Sequence, residues 1–259
     1  MNINIKSAAP LAAPLAAVLM LGLSAVANAA PVAIDDTYYG GDDHNYGDVI
    51  GAASKFDVFR AELSQAGNIL TVNIFTNFAG RGDDGLFSGY TQNGMGIGYS
   101  DLFLASAWNP DGAAPYLSDN NVTGTVWEYG FSLDDRWNAN GGDGTLYELS
   151  GSNDDSALMS EDFMSGAIYR DGQEVAVDTA SNFASALNDG SWSVEDGYMS
   201  FSVDLSGTDL SLANGIALHW GPTCANDIIE GYAEVPEPGS LALLALGLIG
   251  AGVARRRRA

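Results

Sequence analysis

The sequence predicts an all-β protein, a single β-sandwich or jelly-roll-like domain, and three observations predict it. Short apolar–polar alternations recur through the middle of the chain, glycine, asparagine and aspartate fill the intervals, and no helical apolar period is sustained there. The elements follow in order. Leu70, Val72 and Ile74 occupy alternate positions, as do Thr125, Trp127, Tyr129 and Phe131, which is the two-residue period of a strand with one buried face. Residues 167–170 and 173–177 flank Asp171-Gly172, a pair that predicts a tight hairpin. Residues 180–187 alone read as a brief helix. In 199–205 the apolar residues Met199, Phe201, Val203 and Leu205 fall on every second position, and 215–220 reads as a last buried strand. No internal repeat and no second domain boundary interrupts this series.

The two ends are of a different kind. Lys6 precedes an apolar run over 8–26, and Ala27-Asn28-Ala29 supplies small residues at a cleavage position. A positive start, an apolar middle and an A-x-A site are the layout of a secretory signal peptide, 1–29, cut after Ala29. At the other end Pro236-Glu237-Pro238 is followed by fifteen uncharged residues, 240–254, and then by Arg255, Arg256, Arg257 and Arg258. As a helix the uncharged run spans roughly 22 Å, short of a hydrocarbon core of about 30 Å. The arginines hold its end on the cytoplasmic side during export. The two prolines keep the preceding stretch extended and open to a processing enzyme.

A Pro-Glu-Pro triplet, a short apolar helix and a terminal arginine cluster, in that order, resemble the PEP-CTERM sorting signal of Gram-negative bacteria. The resemblance covers the last two dozen residues. It implies an inner-membrane exosortase as partner and a cut near the triplet, with Pro236, Glu237, Pro238 and Arg255–Arg258 as the sorting residues. It also implies transfer to the cell surface or to an exopolysaccharide matrix, with membrane anchoring before processing. The chain therefore divides into a signal peptide, 1–29, an acidic β domain, 30–233, and a sorting segment, 234–259.

Residues 30–235 carry 32 of the 33 acidic side chains and only five basic ones, Lys55, Arg60, Arg81, Arg136 and Arg170. Such a surface repels nucleic acid and anionic lipid and tolerates divalent cations. Cys224 is the single cysteine, which excludes an internal disulfide and predicts a buried, inert thiol. With two histidines in the chain, zinc ligation and a Cys–His nucleophile pair are both poorly supplied.

Calcium fits the composition better, because it takes six to eight oxygen ligands from carboxylate-rich loops. Asp42, Asp43 and Asp48 crowd the mature N-terminus beside Asp35, Asp36 and Asn45. Asp227 and Glu230 follow Cys224 in the stretch 217–231, which also gathers His219 and Asn226 and resembles a stretch recurring near the end of many exported PEP-CTERM proteins. No window matches the twelve-residue EF-hand loop, so Asp42, Asp43, Asp48, Asp227 and Glu230 are candidate ligands by composition alone. Trp108 and Trp137 fall in expected loops or strand ends, where a ring can serve as a platform for sugar. The resulting expectation is a non-enzymatic surface or matrix protein. The alternatives are a calcium-dependent carbohydrate-binding module and a secreted hydrolase built on Asp227, Glu230 and His219.

Overall fold

The computed structural model describes residues 30–42, 45–81, 96–150, 157–160, 170 and 172–235. The signal segment with Ala27 and Ala29, the sorting residues from Pro236 onward, Asp43, Asp171 and the first hairpin arm at 167–169 lie outside them. The described chain is nearly all β, in twelve strands with one helical turn, α1 (Ala53–Phe56).

Ten strands form one antiparallel sheet. Its spatial order is β1 (Val32–Asp35), β2 (Val58–Ala66), β3 (Ile69–Thr76), β10 (Tyr198–Asp204), β9 (Ala184–Glu195), β6 (Gly141–Leu149), β5 (Tyr129–Leu133), β4 (Leu102–Ala105), β11 (Ile216–Trp220) and β12 (Ile229–Ala233). The sheet curls until it is nearly a closed barrel, which brings its two end strands, β1 and β12, side by side. Gly231 of β12 faces Ile34 of β1 so closely that an added Cβ would stand 2.6 Å from the isoleucine Cγ2. A two-stranded ribbon of β7 (Leu158–Ser160) and β8 (Glu174–Val177) packs outside, against the β4–β11 region.

The expected alternation is visible in the core. Leu70, Val72 and Ile74 point inward from β3, and Met199, Phe201 and Val203 do so from β10 in register with them. Leu102, Leu104, Phe131, Leu218 and Trp220 close the same core from the other half of the sheet. Thr125 and Trp127 are buried in the approach to β5 rather than in the strand itself. On β4 and β11 the opposite face is buried as well. Phe103, Ala105 and Ala217 pack there with Trp127 and Val177, under the 106–128 loop and β8. Strands covered on both faces lose the polar half of the alternation, hence the runs LFLA and IALHW.

The brief helix expected over 180–187 is corrected: β9 starts at Ala184 and pairs with β6 along Ala184↔Leu149 to Gly141↔Ser193. A strand is required there to join β6 to β10, and this tertiary demand overrides a weak local preference. Among the described residues β8 pairs with β7, through Val177↔Leu158 and Ala176↔Met159.

Candidate functional site

Two clusters of buried ionisable side chains sit near β12. The first lies at the barrel seam. Asp36 follows directly on β1, and its main chain is held by Asp36 N–H donating to Phe59 O at 3.2 Å. Asp48 comes from the 45–50 loop, which is folded back by the Asp42 carboxylate. Asp42 accepts from Tyr46 N–H at 2.8 Å and Gly47 N–H at 2.5 Å, while Asn45 and Gly47 take left-handed φ values of 62° and 83°. Ile50 N–H donates to Asn226 O and Asn226 Nδ2 donates back to Ile50 O, tying this loop to the residues before β12. Asp227, fully buried, accepts from Val58 N–H at 2.6 Å and from Ile228 N–H at 3.0 Å.

One carboxylate oxygen from each of Asp36, Asp48 and Asp227 lies within 4.8 Å of the others. Arg170, completely enclosed, donates from Nη2 to the carbonyls of Gly47 and Asp48. Burial pushes Asp36 up to about 8, with the charge of Asp48 adding to the effect and the Tyr38 N–H and Arg170 opposing it. Burial and the charge of Asp36 push Asp227 up to about 9, against the Val58 N–H bond and Arg170. Asp48 rises through burial, partly offset by Arg170. Desolvation is the first cause of all three shifts, and the charge of a neighbouring aspartate of the triad adds to it at Asp36 and Asp227.

The second cluster lies on the outer face of β11. His219 Nε2 meets the carbonyl oxygen of Glu174 at 2.9 Å, and Nδ1 meets Glu230 Oε2 at 2.8 Å. A carbonyl only accepts, so Nε2 carries the proton; Nδ1 of the neutral ring then accepts, and Glu230 donates as a carboxylic acid. The shifts agree: burial holds Glu230 well above the carboxylate range and lowers His219. Glu230 Oε1 accepts from Trp108 Nε1 at 2.8 Å and Thr125 Oγ1 at 3.3 Å, and Glu174 Oε1 accepts from Trp127 Nε1 at 3.0 Å. Tyr38 Oη donates to Asp119 at 3.0 Å, and Gln173 Nε2 donates to the Asp119 carbonyl. The network stitches the 106–128 loop and β8 onto β11 and β12.

Of the residues singled out in the sequence, Asp48 and Asp227 come together at the seam. Asp42 instead caps the loop that presents Asp48, and Glu230 belongs to the histidine cluster. Trp108 and Trp137 are half-buried and far from equivalent. Trp108 bonds Glu230 and stacks edge-on with Tyr116 at 5.3 Å, whereas Trp137 donates to Gly96 O and packs beside Val175 and Ala176. Cys224 is buried, and burial pushes its thiol up to about 12, consistent with an inert side chain. Both ring nitrogens of His219 are engaged by glutamates and not by that thiol. The sequence names Asp36 only among the crowded N-terminal carboxylates and not as a candidate ligand, and Arg170, Glu174 and Asp119 are given no site role there. The Asp35-Asp36 pair at the end of an alternating strand was the one available signal, since alternation turns Asp35 outward and Asp36 the other way.

Among the described residues no helix is long and apolar enough to cross a membrane. No curated protein and no solved structure matches the chain. A family model does match at its end: residues 234–258 fit the PEP-CTERM protein-sorting motif. That match covers the triplet, the apolar run and the arginine cluster together. The chain is thus a PEP-CTERM domain-containing protein, exported and sorted by an exosortase-type system.

Proposed function

We propose that the processed protein is a non-enzymatic component of the cell surface, with its acidic β domain serving as a structural and interaction module in the exopolysaccharide layer. The sorting motif at 234–258 is the observation that carries this reading, because it commits the domain to the outside of the cell. The distribution of reactive groups supports it. A hydrolase built on Asp227, Glu230 and His219 would need the three to converge on one substrate atom. Asp227 instead caps Val58 at the seam, while Glu230 and His219 saturate one another on the far side of β11. A second reading, a calcium-dependent carbohydrate-binding module, draws on the half-exposed Trp108–Tyr116 pair, whose faces suit a sugar ring.

Fractionation of the native host with intact-mass measurement tests the proposal. The expected species lacks residues 1–29 and the arginine tail and sediments with extracellular polysaccharide. A processed species found wholly free in the medium would overturn the matrix role while leaving sorting intact. Loss of polysaccharide binding in Trp108→Ala, measured by co-sedimentation with calcium present, would favour the second reading over the first.

A further inference from the structure

We propose that Asp36, Asp48 and Asp227 form a calcium site that clasps the seam of the barrel, joining the end of β1, the 45–50 loop and the start of β12. The three carboxylates are not the whole of the observation. Asp36 Oδ2 and Asp48 Oδ1 are buried without a hydrogen-bond partner, and so are Nε and Nη1 of Arg170, a side chain with 0% exposure. Arg170 acts electrostatically on all three carboxylates, yet it spends Nη2 on the backbone carbonyls of Gly47 and Asp48. Orphaned acceptors and orphaned donors thus surround one spot without satisfying each other. Leaving such groups bare is costly, and native interiors rarely do so.

A hydrated divalent cation satisfies both sets. It takes the free carboxylate oxygens directly, and a water in its shell accepts from Arg170. The charges also balance, since three carboxylates and one guanidinium leave two negative charges.

The donor set favours calcium. It is all oxygen, the three atoms lie within 4.8 Å of one another, and calcium accepts such a set in irregular geometry where magnesium demands a near-ideal octahedron and keeps its own waters.

The position gives the site its purpose. β1 and β12 are the two ends of the ten-stranded sheet order, so no strand ladder seals the gap between them. Without an ion the free oxygens of Asp36 and Asp48 stay unsatisfied at the seam; bridged by one, the three side chains hold the two edges together. A site of this kind fills outside the cell, where extracellular calcium modules bind with dissociation constants of about 10⁻⁴–10⁻³ M. The clasp would then close after export.

The test uses the processed protein recovered from its host and stripped with a chelator. Calorimetric titration with calcium should show one site, and the melting midpoint should rise by several degrees at saturation. Hydrogen exchange should slow over 32–36 and 227–233. Asp36→Asn and Asp48→Asn keep side-chain volume and leave the Asp227 cap on Val58 intact. Each should weaken binding at least tenfold, while Asp134→Asn, on an exposed loop, should bind as wild type does. Wild-type protein with no binding heat and the same midpoint in calcium and chelator would overturn the proposal, without reference to any variant. Undiminished binding by Asp36→Asn and Asp48→Asn would overturn the assignment of residues, and a larger shift with magnesium than with calcium would overturn the choice of metal.

Discussion

Glu174 shows how one side chain can make the stability of this domain depend on pH. Its carboxyl is buried among Trp127, His219, Glu230 and Asp119, and burial together with the neighbouring acids pushes it up to about 7 from an ordinary 4.5, against the pull of His219. A group whose pKa is raised in the folded state binds its proton more tightly folded than unfolded. Its contribution is whole below pH 4.5 and is lost as pH rises through about 7. His219, lowered by burial, works in the opposite sense, and Glu230 and Asp119 in the same one, so the comparison that isolates Glu174 is with Glu174→Gln. In urea titrations from pH 4 to 8 the wild type should lose roughly 3 kcal/mol relative to that variant, nearly all of it below pH 7. Parallel stability curves would show that the Glu174 carboxyl is not held protonated. None of this was legible in the sequence. Glu174 stands in a run that reads as a plain hairpin arm, and His219 lies 45 residues further on. Burial of a glutamate is decided by which loop covers it, and the 106–128 loop has no periodicity that says where it lands.

The strands and their junctions carry a more predictable physics. Phe131 on β5 lies across a facing pair of glycines, Gly144 on β6 and Gly190 on β9, where an added Cβ would stand 2.6 Å and 2.7 Å from its ring. Glycine in a strand interior costs conformational entropy, and here the return is the close seat of an aromatic ring in the core. Gly190→Ala should therefore cost about 1–3 kcal/mol in urea unfolding, through displacement of Phe131 and of the Ser202 carbonyl, which would stand 2.5 Å from the same Cβ; an unchanged midpoint would mean that both can give way. Where β4 begins, Asp101 ties three elements together. Its carboxylate accepts from Leu133 N–H at 2.9 Å, Val177 N–H at 2.7 Å and Arg136 Nη2 at 3.1 Å, all buried. Asp101→Ala strands two amides and a guanidinium at once, and the expected loss is about 3–5 kcal/mol by the same measurement. A loss below 1 kcal/mol would show that water replaces the carboxylate. The alternating runs on β3, β5, β10 and β11 were readable because one or both of their faces meet a core, and burial follows the pleat. β9 was not, because its residues 184–190 are mostly solvated on both faces and present no stripe to read. Asp101 left no trace either, since a lone aspartate before an apolar run looks like a turn residue until its three partners converge.

At the scale of the whole molecule the charge is divided between two destinations. The domain is overwhelmingly acidic, while four of the ten basic residues of the chain close its C-terminus. Such a division has a mechanical consequence during export. By the positive-inside rule the expected topology keeps the arginine cluster on the cytoplasmic side while the acidic domain passes ahead of it. Two prolines in three residues remove backbone donors and fix φ, so the triplet cannot fold into the last strand, β12, which ends just upstream at Ala233. The triplet is thereby set apart in sequence from the domain, whose last strand is β12. Replacing Pro236 and Pro238 together by alanine keeps the apolar run and the arginines but restores two backbone donors and frees φ at both positions. The expected result is a precursor that still loses residues 1–29 and remains in the inner-membrane fraction, heavier than the mature species by the uncut tail. Intact-mass measurement on fractionated cells distinguishes the two forms directly. If the double variant reaches the surface with the same mass as the wild type, the prolines are not what the enzyme grips, and recognition must rest on Glu237 or on the apolar run that follows.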